Sequence, residues 1–278
     1  MLSVIVATKN EARNISRCLE SIIRNSSHDE VEIIVVDNAS TDLTREICKN
    51  YPVKLYQLAD FVELSKIQNP RGEQINIGVK KASGDIIFFP DADMTFENGL
   101  LDEIQKKGKL FDGLYIPEVI IGNSYFGRIR DYERSFYNMT PIDGIRVVKK
   151  KIFEIAGGFD AVTISFGPDD WDFTKRIKAR GAILSITELS LYHHEKDLNL
   201  WSYLAKKAQY TSSFNGYLLK WGSNDEDIRR QFGFSYRFCV VFLESGKWRK
   251  IINQPILFIS VILLKICVGI IFLCKKIS

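Results

Sequence analysis

The sequence predicts an α/β fold with a mainly parallel central sheet, followed by a helical C-terminal region. Short apolar segments alternate with helical ones along the first 90 residues, and this alternation is typical of parallel strands joined by right-handed crossovers. Polar clusters follow three of the apolar segments, at residues 8–11, 37–42 and 91–93. Because ligands bind such sheets at the carboxyl ends of the strands, these clusters are expected to meet at one edge.

Four short segments rich in aliphatic and aromatic residues are the predicted strands of this sheet. In chain order they are residues 2–7, 31–36, 53–58 and 85–90. The chain has 278 residues, of which 46% are hydrophobic, so it is long enough to bury a sizeable core around them.

Helices are expected between the predicted strands. Apolar residues at helical spacing predict a first helix that ends near Arg24. Ser40 or Thr41 would cap the second helix, and residues 72–82 would form the third. The residues expected to face the core from the first helix are Ile15, Leu19, Ile22 and Ile23.

The periodicity becomes irregular between residues 115 and 195. A turn with positive φ is expected at the two consecutive glycines, Gly157 and Gly158, since glycine adopts that conformation at little cost. The predicted elements here are a strand at 145–148, a short helix at 151–155, a helix that contains Arg176, and a final strand at 183–191.

Asp91 and Asp93 follow the fourth predicted strand, one residue apart. Alternate residues of a strand point to the same face, so both carboxylates would reach one place at the sheet edge. Hard oxygen ligands of this kind hold Mg²⁺ or Mn²⁺ with positions left for a phosphate. The pair therefore predicts a metal site for a nucleotide diphosphate, and an ordinary turn is the alternative.

The charge is unevenly distributed along the chain. The net charge is +4, yet residues 201–278 alone carry 12 Lys or Arg and 4 Asp or Glu, a local charge of +8. A basic and apolar tail on an acidic body favours a membrane surface over nucleic acid as a partner, with a solvated basic face as the alternative. Five cysteines without metal-type spacing favour a reduced, cytosolic setting.

Two common phosphate-binding motifs are absent from the sequence. No Gly-x-Gly-x-x-Gly follows the first predicted strand, and the chain contains no Gly-Lys-Ser/Thr of a P-loop. A nucleotide would therefore be held through its base, its ribose and its metal-bound phosphates.

Six segments, taken in order, resemble family 2 glycosyltransferases of the GT-A fold. The resemblance covers residues 1–195 and implies a GT-A glycosyltransferase domain there, with residues 196–278 as a separate membrane-associating region. The segments are residues 4–11 (VIVATKNE), 34–42 (IVVDNASTD), 71–84 (RGEQINIGVKKASG), 89–93 (FPDAD), 157–160 (GGFD) and 168–176 (PDDWDFTKR).

The resemblance implies a role for individual residues of the donor site. Asp91 and Asp93 would be the family's Asp-x-Asp motif, which contacts the ribose and a divalent metal, here Mn²⁺ or Mg²⁺. The residues that would bind the nucleotide are Thr8, Glu11, Asp37, Arg71 and Asp91. For Asp37, an Asx turn with the residues that follow is the alternative.

Asp170 occupies the second position of the family's Glu-Asp pair, which implies that it is the general base. The first position is Asp169 here, a departure from the family's Glu. His193 or His194 lies where relatives place a histidine near the metal, and only one of two neighbours on a strand can face it. Asp172 is expected to favour the first turn of a helix instead.

The tail combines a basic helix, predicted at residues 201–219, with an apolar segment at residues 256–274. Nineteen helical residues could just cross a hydrocarbon layer about 30 Å thick. Lys265 at the midpoint would cost ~2.5–3.5 kcal/mol there. We therefore expect helices that lie in the cytoplasmic leaflet rather than a simple span; a buried helix of a soluble dimer is a third possibility.

These inferences together predict a metal-dependent, inverting glycosyltransferase at the cytoplasmic face of the cell membrane. Its donor would be a nucleotide-diphosphate sugar, a UDP-sugar by family preference, and its acceptor a lipid-linked saccharide or a polyprenyl phosphate. A catalytically inactive sugar-nucleotide or glycolipid-binding protein is the alternative. A sugar nucleotidyltransferase is disfavoured because residues 8–11 lack a glycine-rich loop.

Overall fold

The computed structural model describes residues 1–26, 31–195 and 199–277. Its strands and helices follow one another as the alternating pattern of the sequence predicts. The strands are β1 Leu2–Thr8, β2 Val31–Asp37, β3 Lys54–Gln57, β4 Ile86–Phe88, β5 Met94–Phe96, β6 Gly113–Tyr115, β7 Glu118–Ile120, β8 Val147–Lys149, β9 Leu184–Ile186 and β10 Leu191–His193. The helices are α1 Ile15–Asn25, α2 Thr44–Cys48, α3 Pro70–Lys81, α4 Leu100–Leu110, α5 Tyr125–Arg134, α6 Lys150–Ile155, α7 Asp169–Lys178, α8 Leu200–Trp221, α9 Glu226–Phe232, α10 Val241–Leu243, α11 Trp248–Asn253 and α12 Pro255–Ile277.

The central sheet has seven strands in the order β3-β2-β1-β4-β8-β6-β9. Six of these run parallel to one another, and β8 runs antiparallel to both of its neighbours. Helices cover both faces of the sheet, with residues of α1 and α4 in the core on one face and residues of α3, α6 and α7 in the core on the other. The predicted α/β sandwich with a mainly parallel sheet is confirmed.

A second, three-stranded sheet lies beside the first, in the order β5-β10-β7. β10 runs antiparallel to β5 and parallel to β7. This register places His193 opposite Met94 on one side and opposite Ile120 on the other. The small sheet thereby brings the histidine pair next to the segment that contains Asp93.

Two predictions of local structure are wrong. The single strand expected at 183–191 is two strands, β9 and β10, which belong to different sheets. They are separated by a turn in which the buried Thr187 donates a hydrogen bond to the Leu189 carbonyl (2.8 Å). The second helix begins after Leu43 without a side-chain cap, because the Ser40 hydroxyl donates its hydrogen bond to Asp37 instead (2.5 Å).

The C-terminal helices pack on the first part of the chain. Helix α12 contacts α5 and α8, and the three helices share a hydrophobic core with the π-helical turn Tyr236–Val240 and with α10. The buried face of α12 includes Leu257, Val261 and Leu264, and also Lys265. The lysine thus points into the protein, where Tyr137 accepts its hydrogen bond (2.8 Å).

The opposite face of α12 is apolar and exposed. It presents a stripe of aliphatic residues at spacings of three and four, namely Ile256, Ile259, Leu263, Ile266 and Ile270. Within the described residues, α12 is the one helix long and apolar enough to cross a membrane, judged by length and composition. A helix that is apolar all round, packed on protein along one face, has its other face available for lipid or for a partner.

Candidate active site

Two loops at the carboxyl edge of the sheet are bonded to each other. The loops follow β1 and β2, whose parallel register places Thr8 opposite Asp37. The Asn10 amide donates to Ser40 Oγ (2.8 Å), and the Thr41 amide donates to Asn10 Oδ1 (2.8 Å). Asn10 has a φ of 55°, a conformation that asparagine adopts more readily than most residues. These bonds fix the two loops relative to each other at the carboxyl edge of the sheet.

Asp37 lies buried at this edge. Its carboxylate accepts hydrogen bonds from Thr8 Oγ1 (3.1 Å) and from the Ser40 amide (2.9 Å), so the Asx turn is present. Glu11 is only partly buried, and it accepts a bond from Asn14 Nδ2 (2.9 Å). The Asp37 carboxylate accepts a third bond from Ser40 Oγ (2.5 Å) and is fully buried, so the turn uses most of the roughly four hydrogen bonds that a carboxylate can accept. The nucleotide-binding roles of Thr8, Glu11 and Asp37 stay a prediction.

Asp91 lies between two arginines. Its Oδ1 accepts a hydrogen bond from Arg71 Nε (2.8 Å) and its Oδ2 one from Arg146 Nη1 (2.8 Å). Burial opposes ionisation of this carboxyl group, but the two guanidinium groups outweigh it and hold the pKa of Asp91 well below its usual range. Asp91 therefore stays ionised and fixes both arginines at the sheet edge.

Arg71 connects the Asp-x-Asp segment with the start of α7. It lies in the first turn of α3, which Asn69 caps by accepting a hydrogen bond from the Gly72 amide (3.0 Å). Its Nη1 lies 3.3 Å from Asp169 Oδ2 and 3.2 Å from Asp170 Oδ1. One side chain thus brings together two acidic motifs that are about 80 residues apart in the sequence.

The two neighbouring aspartates of α7 differ in their surroundings. The Asp169 side chain is 2% exposed and accepts hydrogen bonds from Asn69 Nδ2 (2.9 Å) and from the Gly167 amide (3.0 Å). These bonds indicate that Asp169 stabilises the local structure. The Asp170 side chain is 24% exposed, with Arg71 as its ion-pair partner. Burial raises the pKa of Asp170 even though Arg71 opposes the change. A carboxylate with a raised pKa that opens to the cleft suits a general base.

Gly144 makes the position of Asp170 possible. A Cβ atom at residue 144 would lie 2.6 Å from the Cβ of Asp170, well inside any normal contact distance. The absence of a side chain therefore allows the loop before β8 to pack directly against the first turn of α7. This glycine is a positioning residue for the predicted base.

His193 lies between two carboxylates. Its Nε2 is 3.2 Å from Asp93 Oδ2, and its Nδ1 is 2.6 Å from Glu118 Oε1. Burial disfavours the imidazolium, but Glu118 and Asp93 outweigh burial and raise the pKa of His193 to about 10. Glu118 fixes the orientation of the ring, so that Nε2 faces the second aspartate of the Asp-x-Asp motif.

His194 faces away from His193, as expected for neighbours on a strand. Its Nε2 lies 3.0 Å from Thr95 Oγ1, and its amide donates to the Asp93 carbonyl (2.9 Å). Burial lowers the pKa of His194, and the positive charge of Arg17 adds to this effect. Of the two histidines, His193 is the one whose ring reaches a carboxylate of the Asp-x-Asp motif.

The residues at Asp93 fit a divalent metal. Within the described ranges no group of three or more His, Cys, Asp and Glu side chains forms a complete ligand set. Asp93 Oδ2 and His193 Nε2 are joined by a hydrogen bond of 3.2 Å, so His193 would have to release its ring proton to bind a metal. Adjacent ligands of an octahedral ion at ~2.1 Å lie roughly 3 Å apart, a similar separation, and a nitrogen ligand suits Mn²⁺ better than Mg²⁺. Histidines that bind a metal usually donate a hydrogen bond from their other ring nitrogen to a group such as a carboxylate, and Glu118 is in that position here. The remaining positions suit phosphate and water.

Sequence reasoning missed two residues of this site, Arg146 and Glu118. Arg146 is the single charge within the predicted strand at 145–148, and Glu118 is the single charge in an apolar segment that follows Pro117. A lone charge within an apolar strand is a signal that could have identified both. Their partners, Asp91 and His193, lie 55 and 75 residues away in the sequence and could not be read from it.

Several residues near the site have structural roles. Asp172 is buried and accepts hydrogen bonds from Arg176 Nε (2.8 Å) and Trp221 Nε1 (2.8 Å), so it fastens α8 to α7. Trp171 stacks on Phe214 with ring centroids 5.8 Å apart. The tight turn at Gly157 and Gly158 has φ values of 79° and 67°, as predicted.

Comparison with known proteins agrees with this architecture. Residues 3–162 match the family model described as "Glycosyl transferase family 2". Glycosyltransferase AglE of Haloferax volcanii is 26% identical over 258 residues, which cover 87% of this chain and 81% of AglE. Glycosyltransferase GlyA of Streptococcus pneumoniae is 26% identical over 153 residues, 50% of this chain and 21% of GlyA.

A third relative acts on a lipid-linked saccharide. It is the GalNAc(5)-diNAcBac-PP-undecaprenol beta-1,3-glucosyltransferase of Campylobacter jejuni, which is 32% identical over 106 residues. The match covers 38% of this chain and 34% of that enzyme. The chain therefore spans about a third or less of two of these three relatives and most of AglE.

Solved structures show the same fold. One is the mannosyltransferase PcManGT from Pyrobaculum calidifontis, in complex with GDP-Man and Mn²⁺, with a TM-score of 0.64 at 18% identity. The match covers 99% of this chain and 86% of the PcManGT chain. Residues 1–349 of TarS from S. aureus, in complex with UDP-GlcNAc, have a TM-score of 0.55 at 16% identity and cover 94% of this chain and 79% of that chain. With more than half of its length matched, the chain belongs to glycosyl transferase family 2.

Proposed function

We propose that the protein transfers a sugar, with inversion, from a nucleotide-diphosphate donor to a hydroxyl group of a lipid-linked acceptor. The observation that carries the proposal is the contact of Arg71 with both Asp91 and Asp170. It places the predicted base beside the segment that would hold the donor's diphosphate. The base and the leaving group of an inverting transfer lie on opposite sides of one sugar ring, which requires this proximity.

Asp170 takes the proton of the acceptor hydroxyl as its oxygen attacks the anomeric carbon. The bond from that carbon to the phosphate oxygen breaks, and the nucleoside diphosphate leaves from the opposite face. Proton transfer by a positioned base contributes typically ~10²–10⁴ in rate. The burial that raises the pKa of Asp170 makes its carboxylate a stronger base than an exposed aspartate.

Asp93 and His193 are the residues that we assign to the metal, Mn²⁺ or Mg²⁺. When bound there, the ion would offset the negative charge that develops on the departing diphosphate. Arg71 and Arg146 contribute fixed positive charge at the same edge, held in place by Asp91. In this assignment Asp91 orients the two arginines and contacts the ribose, and His194 supports the loop through its amide.

The donor pocket is formed by the two bonded loops, where Thr8, Glu11 and Asp37 would contact the base and the ribose. UDP-GlcNAc is bound by TarS and GDP-Man by PcManGT, and both share this fold. A nucleotide-diphosphate sugar is therefore the donor class, and we favour a UDP-sugar.

A lipid-linked saccharide or a polyprenyl phosphate is the acceptor that fits the tail. The helix with the exposed stripe, α12, directly follows α11 in the chain, and α11 carries the exposed basic residues Arg249 and Lys250; apolar and basic residues together bind anionic interfaces. The inward position of Lys265 favours a helix that lies in the interface over one that spans the bilayer. We place the catalytic domain, residues 1–195, at the cytoplasmic face of the cell membrane.

The double variant Ile259→Glu/Leu263→Glu is expected to lose at least tenfold in binding to anionic vesicles. Each side chain is more than half exposed, and burying one in lipid contributes about 1.5–3 kcal/mol, whereas a carboxylate opposes it. Vesicle flotation with and without anionic lipid measures the effect. Thermal unfolding should change little, since neither side chain belongs to the core.

Leu110→Glu provides the matched control. Leu110 is an equally exposed apolar residue at the end of α4, on the catalytic domain, and its variant should float like the parent. If the double variant floated with the vesicles as well as the parent protein does, the membrane assignment would be refuted. Conversion of a dimer to a monomer by the same substitutions, seen by light scattering, would assign the stripe to a second copy of the chain.

Product analysis tests the reaction. The parent protein, a sugar nucleotide and a polyprenyl-linked acceptor should give a lipid product heavier by one glycosyl unit. NMR of the new linkage should show the anomeric configuration opposite to that of the donor. Retention of configuration would contradict the assignment of Asp170, and donor binding without any product would favour a binding protein.

A further inference from the structure

A cluster of charged residues lies between the C-terminal helices and α5. The residues come from α5, α8, the π-helical turn, α12 and the segment that follows β10. Its cations are Arg130, Lys207, Arg237 and Lys265, and its carboxylates are Glu133 and Glu195. Arg130, Glu133 and Lys265 are each at least nine-tenths buried.

Two of the four cations form ion pairs with the two carboxylates. Arg130 pairs with Glu133 and, through Nη2, with Glu195 (3.2 Å). Lys265 Nζ lies 3.8 Å from Glu133 Oε1 and donates to the Tyr137 hydroxyl (2.8 Å). The same hydroxyl donates to Glu133 (2.6 Å), so these groups form one continuous network.

The other two cations contact aromatic faces instead of carboxylates. Lys207 Nζ lies 5.2 Å from the ring centre of Tyr203 and 5.5 Å from that of Tyr210. The Arg237 guanidinium lies 5.8 Å from the ring centre of Tyr137. Among the residues that the structure describes, neither forms an ion pair with a carboxylate, so the cluster holds four basic side chains and only two acidic ones.

Such an excess is costly in a partly buried site. Burial lowers the pKa of Lys207 and that of Lys265 to about 7, and the positive charges of Arg130 and Arg237 add to the effect, so a bound anion would favour the fully charged form of both lysines. Proteins normally pair buried charges, and an unpaired set of this kind favours an anion that supplies the missing negative charge.

The cluster adjoins the catalytic cleft. Glu195 follows the His193 and His194 pair directly in the chain. Lys207 packs on the ring of Tyr210. Burial raises the pKa of the Tyr210 hydroxyl, and the negative charges of Asp91 and Asp169 add to this effect, so Tyr210 lies near both carboxylates. An anion bound here would lie between the active site and the buried face of α12.

We infer that these four cations bind the phosphate or diphosphate group that joins the acceptor's saccharide to its lipid. This inference rests on the proposed function. A diphosphate supplies about the two negative charges that the cluster lacks, and guanidinium groups bind phosphate oxygens in pairs. The lipid chain would continue along α12, and the saccharide would extend toward Asp170.

Binding of short isoprenoid probes tests the site without requiring turnover. Farnesyl diphosphate, farnesol and inorganic pyrophosphate are titrated into the full-length protein by calorimetry. Farnesyl diphosphate should bind at least tenfold more tightly than either of the others, because it alone offers both the anion and the chain. If farnesol bound as tightly as farnesyl diphosphate, no anion site would exist. If pyrophosphate bound as tightly as farnesyl diphosphate, the bound anion would not be the phosphate group of a lipid.

Three substitutions locate the site. Lys207→Met, Arg237→Gln and Lys265→Met should each weaken farnesyl diphosphate binding by about 10-fold to 100-fold, the range for a lost charged hydrogen bond. Lys206→Met is the matched control, since Lys206 is the exposed neighbour on α8, and it should bind like the parent. Unchanged binding in all three variants would overturn the inference.

Two further readouts separate the outcomes. Lys265→Met removes one cation from a cluster that has more cations than carboxylates, and Glu133 keeps Arg130 as its ion-pair partner, so the melting temperature should change little while the ligand is lost. Sugar-nucleotide binding should be unchanged, and its loss would assign the cations to the donor instead. Intact binding at the cluster without any transfer to lipid-linked acceptors would refute the proposed function and leave this site standing.

Discussion

Replacing Asp170 by asparagine is expected to lower kcat by about 10²–10⁴ while the sugar nucleotide binds as in the parent. Asparagine keeps the shape of the side chain and its contact with Arg71, but it cannot accept the proton of the acceptor hydroxyl. Steady-state kinetics and donor titration measure the two effects separately. A kcat within tenfold of the parent would show that another group is the base.

Two companion variants refine this result. Asp102→Asn, at an exposed position in the first turn of α4, should be fully active and controls for the loss of one negative charge. Gly144→Ala would place a Cβ atom 2.6 Å from that of Asp170 and should displace the base, lowering kcat by about tenfold to hundredfold. Because the atoms nearest to the added Cβ all belong to Asp170, the variant should keep donor affinity.

Replacing Arg71 by methionine is expected to destabilise the protein and to inactivate it. The arginine bonds to three carboxylates, and its removal leaves Asp170 without an ion-pair partner beside Asp169 and Asp91. Removing one partner of a buried ion pair typically costs about 3–5 kcal/mol. For a chain of this size the melting temperature should fall by roughly 6–20 °C.

The cost of Arg71→Met should depend on pH in a defined direction. Arg71 and Arg146 hold the pKa of Asp91 below its usual value, so their contribution is present above pH ~4 and is lost as the pH falls through the carboxylate pKa values. The difference in stability between variant and parent should therefore be largest near neutral pH and shrink in acid. A difference that grows in acid would contradict this account.

Lys66→Met is the control for this measurement. Lys66 pairs with Glu63 on the surface, where both side chains are more than half exposed. Exposed pairs of this type contribute little to stability. The melting temperature of this variant should match that of the parent at every pH tested.

The sequence is informative where structure depends on neighbouring residues. The runs at β1, β2 and β4 are short and apolar, and a buried strand is the structure that such a run can form between polar loops. Asp91 and Asp93 follow one of these runs directly, so their place at the sheet edge could be predicted. The split of residues 183–191 could not, because β10 leaves the central sheet to pair with β5 and β7.

The parts of the site that escaped prediction depend on contacts between distant residues. The bond of Arg71 to Asp170 joins residues 99 apart, and that of His193 to Glu118 joins residues 75 apart. No local pattern encodes such pairs, since the topology of the two sheets creates them. The resemblance to a family supplied the role of Asp170, whereas its geometry follows from Arg71 and Gly144.

The most direct test of the central claim is nucleotide release from a panel of sugar nucleotides. The parent, Asp93→Ala and Asp170→Asn are compared with Mn²⁺, with Mg²⁺ and with a chelator, in the presence of a polyprenyl-phosphate or glycolipid extract. The account predicts that one donor is consumed by the parent, that release requires the metal and rises with lipid, and that both variants are inactive. Full activity in either variant, or release unaffected by the chelator, would contradict it.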